Sequence, residues 1–218
     1  MLGSVITWRP FSLPQAIASV AFLVLFLVFA DIARRFGKAK ERTLFPTTNG
    51  QPFPTVLRHS DHIIDGVSKA RFIRFLSDKL GEPAPTEEQE TREPATADTF
   101  YGRCGQWLRE RTRDTEKFRL IFEENVIYGF RRNLYGLKRI GLGLNLLVLL
   151  AAAAVLHKGW TDIYALSPVL VIAIAHAFYF LLAVSKASVL QASDQYGRQL
   201  VLACETLMKE KASKKNTS

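Results

Sequence analysis

The sequence predicts an all-α membrane protein with three transmembrane helices and a small cytoplasmic helical domain. Apolar residues concentrate in the runs Ala16–Ala30, Ile140–Leu156 and Ala165–Val184, while charged residues fill the stretches between them. A hydrocarbon core about 30 Å thick needs roughly 20 residues of helix, and each run qualifies when its flanks are included. Buried helices of a soluble protein are disfavoured, because a chain of 218 residues has too little protein to cover three such runs.

The first span is assigned to residues 14–33, after an external N-terminus at residues 1–13. Ser19 is the one polar residue of its apolar run. A secretion signal carries its basic residues before the apolar core. Here only Arg9 precedes the core, and five basic residues follow it: Arg34, Arg35, Lys38, Lys40 and Arg42. We therefore expect an uncleaved anchor.

The other two spans form a hairpin. Residues 140–156 are the second span, residues 157–165 an external loop, and residues 166–185 the third span. The second span is the shortest and contains Asn145, and the third carries no formal charge. Such a hairpin returns the chain to the side from which it entered.

The distribution of basic residues sets the orientation, because Lys and Arg near membrane helices stay on the cytoplasmic side. Of 29 such residues, 21 lie within residues 32–139 and six follow residue 184, which leaves Arg9 and Lys158 outside. Trp160 and Tyr164 fall at the predicted outer interface, which amphipathic rings favour. We expect a bacterial inner-membrane protein with its N-terminus outside and its C-terminus cytoplasmic. This asymmetry explains the net charge of +9 without nucleic acid.

The cytoplasmic region 34–139 is predicted to be helical, with a linker inside it. From Asp61 onward, apolar residues recur at three- and four-residue intervals, which predicts an amphipathic helix that ends at Gly81. Asp61 is its expected N-cap. Residues 81–97 combine Pro with acidic side chains and predict an exposed, mobile linker. A second helix is expected over roughly residues 98–113.

Beyond the third span, the same apolar spacing predicts an amphipathic helix at residues 186–210, followed by a disordered tail at residues 211–218. We expect this helix to leave the membrane without a break and to join a small bundle with the earlier helices. Cys104 and Cys204 lie on the inner side, where a reducing cytoplasm disfavours a disulfide. Both are expected to act as small apolar residues.

Aromatic and basic residues mix in the segment 117–139, immediately before the second span. Such a segment can lie in the interface, with its rings toward the acyl boundary and its cations toward anionic headgroups. The candidate lipid or partner surface comprises Arg131, Arg132, Tyr135, Lys138 and Arg139. The alternative is an ordinary basic flank that fixes topology.

Two polar residues form a candidate intramembrane site, Asn145 in the second span and His176 near the middle of the third. Polar groups at that depth face protein or water rather than lipid, and often mark a conduction or proton path. The alternative is structural: a neutral His176 hydrogen-bonds a neighbouring helix, and Asn145 stabilises helix pairing. The sequence leaves both interpretations open.

His59, His62 and Asp65 follow one another at three-residue intervals. On a helix the two histidines would lie one turn apart, but zinc sites need three or four protein ligands, and no HExxH pattern is present. No phosphate-binding glycine loop, GxSxG elbow or kinase signature is found either. We therefore predict no metal, no cofactor and no catalytic residue.

The block FEENVIYGFRRNLYGLKRIGLGLNLL, with WLRERTRD upstream, resembles a family of uncharacterised bacterial membrane proteins over about residues 44–145. That resemblance implies no activity. Over roughly residues 98–208, a basic helical segment, a two-helix hairpin and a following helix are similar to the SLATT class of two-helix membrane effectors in bacterial defence. The first span is an addition to the simplest layout of that class.

Three helices from one chain cannot easily enclose a channel, so conduction requires self-association, for example in a symmetric ring. The leading hypothesis is a non-enzymatic inner-membrane protein that forms a homo-oligomer in the lipid bilayer, with membrane permeabilisation as a candidate output. The alternative is a membrane-anchored adaptor or scaffold whose cytoplasmic domain docks a partner protein. A third hypothesis, a metal-dependent membrane enzyme, depends on metal binding by His59 and His62.

Overall fold

The computed structural model describes residues 13–48, 50 and 53–216, and all regular secondary structure within them is helical. Its seven α-helices are α1 (Leu13–Leu44), α2 (Gly66–Leu80), α3 (Glu87–Arg92), α4 (Pro94–Arg111), α5 (Arg119–His157), α6 (Ile163–Phe178) and α7 (Lys186–Asn216). Two 3-10 segments, Pro46–Thr48 and Phe53–Leu57, follow α1, and a π-helical turn, Tyr179–Ala183, follows α6. The all-α prediction is confirmed. The predicted external N-terminus lies, except for Leu13, outside the described residues.

Three of the described helices are long and apolar enough to cross a membrane: α1, α5, and α6 together with its π-helical turn. They contain the three runs that the sequence predicts as spans. Within the single chain their apolar windows are almost entirely exposed, as expected of helices that lipid surrounds. Because α1 and α5 are longer than a bilayer requires, both continue into the domain described next.

A helical domain lies at one end of the spans, which we call the domain side; the opposite end is the hairpin side. In this domain α4 contacts α2, α3, α7 and the 3-10 segment Phe53–Leu57. Its fully buried side chains include Leu57, Phe72, Leu76, Tyr101, Leu108 and Leu200. Ile121 and Tyr128 of α5 belong to the same core, so the domain and the second span share one helix.

Helices α1 and α5 cross closely where the membrane part meets the domain. A methyl group added at Gly136 would lie 2.6 Å from the backbone nitrogen of Gly37. One turn further along α1, Glu41 accepts a hydrogen bond from Arg132 at 2.6 Å and another from the Tyr128 hydroxyl at 3.1 Å. This largely buried ion pair fixes the crossing next to the glycine contact.

The start of α2 differs from the sequence prediction. Asp65, and not Asp61, is the N-cap, and its carboxylate accepts a hydrogen bond from the backbone N–H of Ser68 at 2.9 Å. Asp61 instead accepts from the backbone N–H of Ile63 at 2.8 Å, inside a turn that precedes the helix. The predicted end is confirmed, because Gly81 caps α2 with a φ of 68°, a left-handed conformation that glycine adopts readily.

The predicted linker 81–97 contains regular structure. Helix α3 begins with a capping box, in which the side chains of Thr86 and Gln89 each bond to the other residue's backbone N–H. Glu90 of α3 is buried. Helix α4 then starts at Pro94, where the missing N–H of proline costs no helical hydrogen bond.

The chain breaks between the third span and α7, whereas the sequence predicts a continuous helix. Val184 is extended, and the hydroxyl of Ser185 accepts a hydrogen bond from the backbone N–H of Ser188 at 3.1 Å. Ser185 thus caps a new helix. Helix α7 continues to Asn216, six residues into the predicted disordered tail.

Candidate functional site

His176 of the third span lies beside a buried aromatic ring. The rings of His176 and Phe180 have centroids 4.5 Å apart. Phe180 packs against α5 at Gly141, where an added methyl group would lie 3.1 Å from the phenyl ring. Because α5 and α6 run antiparallel, Asn145 and His176 each lie about one turn further toward the hairpin side. The two predicted polar residues therefore lie at a similar depth in the second and third spans.

One nitrogen of the half-buried His176 imidazole is shielded at this level. Its Nδ1 atom is buried and has no hydrogen-bond partner among the described residues. Buried polar atoms are nearly always paired, and hydrocarbon offers no partner in place of a missing one. The arrangement therefore leaves a polar atom unpaired inside an apolar span.

The π-helical turn Tyr179–Ala183 contains Phe180 and closes the third span. Lys138 of α5 donates a hydrogen bond from Nζ to the backbone carbonyl of Val184 at 2.7 Å. A cation at this position offsets the partial negative charge of carbonyls at a helix C-terminus. π-Helical turns inside longer helices often occur at functional sites. Helix α5 thus holds the end of the span that positions the His176–Phe180 pair.

Four of the five residues predicted as a lipid or partner surface contact other parts of the chain. Arg131 donates to the backbone carbonyl of Ser188 at 3.2 Å, Arg132 pairs with Glu41, and Lys138 binds Val184 as described above. Tyr135 is half-buried against the domain core. Arg139 is exposed. Because α5 is continuous from Arg119, this segment extends away from the membrane as part of the span's own helix.

A different exposed surface on α5 was not predicted from the sequence. Ile121 and Tyr128 face the domain core. On the opposite side lie five large apolar residues that are 40–62% exposed, which we call the outward face of α5: Leu120, Phe122, Val126, Ile127 and Phe130. A signal was available, because apolar residues around the whole circumference of residues 118–130 predict a helix that is buried on both sides.

A buried cluster of charges lies in the domain. Arg58 donates to Asp98 from Nε at 2.9 Å and also from Nη2, and this hydrogen bonding raises the pKa of Arg58. Glu90 accepts from the Tyr101 hydroxyl at 2.7 Å and from the backbone N–H of His59 at 2.9 Å. Burial, reinforced by the hydrogen bond to Glu90, raises the pKa of the Tyr101 phenol. These bonds tie α3 and α4 to the turn that precedes α2.

Lys69 holds the turn that carries the two histidines of the metal hypothesis. Its Nζ donates to the backbone carbonyl of Arg58 at 2.7 Å and to that of Asp61, and burial lowers the pKa of Lys69. His59 and His62 line a cavity of about 230 Å³ beside it, but they lie outside α2 and share no helix face. Within the described residues, no group of three or more His, Cys, Asp or Glu side chains is placed to hold a metal ion.

No protein-family model, curated protein or solved structure matches this chain.

Proposed function

We propose that this chain is a non-enzymatic membrane protein that self-associates in the bilayer and permeabilises it when the assembly opens. The observation that carries the proposal is the buried Nδ1 of His176, which lies without a hydrogen bond inside an apolar span. An ionisable side chain at that depth is costly in lipid and commonly marks a water or ion path. Its shielding by Phe180 corresponds to a closed state.

The surroundings of Phe180 support a gate at this point. The ring lies over the imidazole and fills the space beside Gly141, so its displacement would let water reach Nδ1. Phe180 belongs to a π-helical turn. If this turn converted to α-helix, the residues before the turn would rotate by about 100° relative to the residues after it. The gate thus needs only a local change in helix register.

Self-association supplies the rest of the path. The described parts of the three spans leave their apolar surfaces almost entirely exposed, and three helices cannot easily enclose a channel. Further copies around an axis perpendicular to the bilayer would bring their polar levels together. The proposal includes the bacterial inner membrane with the domain in the cytoplasm, which the asymmetry of basic residues supports.

The test is dye release from liposomes that contain the purified protein. Phe180→Ala should release dye several-fold faster than the natural sequence, because it removes the ring that shields His176. Phe178→Ala is the matched control, since Phe178 is 59% exposed on the same span, whereas Phe180 is 8% exposed. The double variant Phe180→Ala/His176→Leu should return release to the basal rate.

Circular dichroism and particle mass establish first that all variants are folded and assembled alike. Equal release from Phe180→Ala and Phe178→Ala, at every protein density in the liposomes, would contradict the proposal.

The second candidate function is the membrane-anchored adaptor. It is favoured by the outward face of α5, which is apolar and exposed on the domain side. The adaptor predicts that this face binds a different protein in constant stoichiometry, and the crosslinking experiment below separates the two functions.

A further inference from the structure

We infer that the outward face of α5 pairs with the same face of a second copy of this chain, so that two α5 helices run side by side from the membrane into the domain. The inference depends on the proposed self-association and names the surface that performs it. Leu120, Phe122, Val126, Ile127 and Phe130 form that surface.

The domain part of α5 is apolar on two opposite sides. Phe118, Ile121 and Tyr128 are buried in the core, while the outward face remains 40–62% exposed. A helix on the surface of a soluble domain normally presents charged and polar residues to water. A contiguous exposed apolar surface of this kind marks a binding site.

Lipid cannot cover most of this face. Lys138 lies at the domain-side end of the second span, and Phe122 precedes it by 16 residues. At a rise of 1.5 Å per residue, Phe122 lies about 24 Å beyond that boundary. The headgroup region adds only about 5–8 Å to each side of the hydrocarbon core. The occupant must therefore be protein.

The charges on the face largely cancel. Arg119 and Glu123 lie on the face itself and form an ion pair with each other at 2.7 Å across one helical turn. Glu124, one turn after Leu120, is half-exposed. The small charge that remains neither repels an identical face strongly nor selects a partner of opposite charge.

The same stripe resumes in the membrane beyond the point where α1 contacts Asn133 and Gly136. Eighteen residues make five full helical turns, so Ile140, Leu144 and Val148 stand directly above Phe122, Val126 and Phe130, respectively. All three membrane residues are exposed. A partner that covers the whole stripe must itself cross the bilayer as a helix and extend about 24 Å beyond the bilayer on the domain side.

A second copy of α5 meets this requirement, because it is the same helix and has the same length on both sides of the membrane boundary. A two-fold axis perpendicular to the bilayer brings identical faces together in parallel and in register. The five residues expose on the order of 500 Å² per copy, so a symmetric pair buries at most roughly 1,000 Å² outside the membrane, at the lower limit for specific interfaces. The residues within the span add to this area.

The experiment is oxidative crosslinking of full-length protein in native membranes. Val126→Cys places a thiol at the centre of the face, and Val67→Cys on α2 is the matched control, because Val67 is 85% exposed and distant in sequence from that face. Cys104 and Cys204 are free and fully buried, so the parent protein gives little background. Val126→Cys should form several-fold more covalent homodimer than Val67→Cys.

Charge substitution gives a second readout. Val126→Glu should shift the particle mass in a mild detergent toward the monomer, because two carboxylates would face each other across the pair, and Val67→Glu should not. A stoichiometric crosslink from Val126→Cys to a different protein overturns the inference in favour of the adaptor.

Failure of the inference is distinguishable from failure of the proposed function. If Val126→Cys gives no dimer while the particle mass is oligomeric and Phe180→Ala releases dye, the pairing surface is wrong and the function stands. If the Val126→Cys dimer forms but Phe180→Ala releases no dye, the pairing stands and permeabilisation is wrong.

Discussion

Cys104 and Cys204 show how burial at single residues controls the stability of the domain. Both are free and fully buried, which confirms that they act as small apolar residues. Burial raises the pKa of each thiol from 9.0 to about 12. In the unfolded chain both would ionise near pH 9, whereas in the folded chain both remain protonated.

The pH dependence of unfolding follows from these two thiols. Their contribution is fully present below pH 9.0, the ordinary pKa of a thiol, and is lost as pH rises toward about 12, because the unfolded chain then releases protons that the folded chain retains. Each thiol accounts for up to roughly 4 kcal/mol at full ionisation. Burial lowers the pKa of Lys69, which acts in the opposite direction, while the raised pKa of Tyr101 adds to the loss.

We expect the midpoint of thermal unfolding, measured in detergent, to fall steadily from pH 9 to pH 11. The variant Cys104→Ala/Cys204→Ala should start less stable, because it leaves small cavities, but its midpoint should fall less over the same range. A decrease of equal size in both proteins would show that other groups cause it.

At the scale of elements, the crossing of α1 and α5 depends on two glycines that no motif in the sequence indicates. Gly136→Ala places a methyl group 2.6 Å from the backbone of Gly37, so the helices must separate and the Glu41–Arg132 pair must lengthen. We expect a loss of roughly 1–3 kcal/mol in stability, measured by thermal unfolding in detergent.

Gly129→Ala is the control for that substitution. Gly129 lies on the same helix about two turns away, and a methyl group there would have no neighbour within 4 Å. Alanine should stabilise the helix by roughly 0.5–1 kcal/mol, since it restricts the unfolded chain more than glycine does. Opposite signs for the two variants would establish that the close crossing, and not helix propensity, determines the outcome at Gly136.

Helices with a clear periodicity of apolar residues were predictable from the sequence. Elements that are held by contacts with residues far away in the sequence were not. The three spans, the helix before Gly81 and the amphipathic character of α7 follow from periodicity. Helix α3 has no apolar face, and what fixes it is Glu90, whose carboxylate bonds to Tyr101 and to the backbone of His59, 31 residues away. The break at Ser185 likewise depends on Lys138, which binds the carbonyl of Val184 from another helix.

The candidate site was likewise predictable from the sequence only in part. His176 and Asn145 were identifiable because polar residues are rare in apolar runs. The shielding of His176 by Phe180 was not, because it requires the register between α5 and α6. Of the basic and aromatic residues singled out on α5, Arg131, Arg132 and Lys138 bond to other segments of the chain, and sequence alone cannot distinguish such bonds from lipid contacts.

In the whole molecule, the domain and the spans are joined at three points. Helices α1 and α5 pass from membrane to domain without interruption, and α6 meets α7 at Ser185. Close to where α1 and α5 enter the domain, Tyr128 donates a hydrogen bond to Glu41. Its ring also stacks on that of Tyr196 in α7, with ring centroids 6.4 Å apart. A displacement of the domain relative to the membrane would therefore act on all three spans.

The orientation of the whole molecule is the final prediction. The domain side carries nearly all basic residues, so we expect it to face the cytoplasm and the loop between α5 and α6 to face the periplasm.

Two positions test this orientation with matched accessibility, because Val67 in the domain and Tyr164 near the start of α6 are both 85% exposed. A membrane-impermeant maleimide should label Tyr164→Cys in cells with a permeable outer membrane, and Val67→Cys only after the inner membrane is opened. The buried Cys104 and Cys204 should remain unlabelled in both cases. The reverse pattern would place the domain outside, where the excess of basic residues would contradict the charge rule, and the proposed cytoplasmic location of the domain would be wrong.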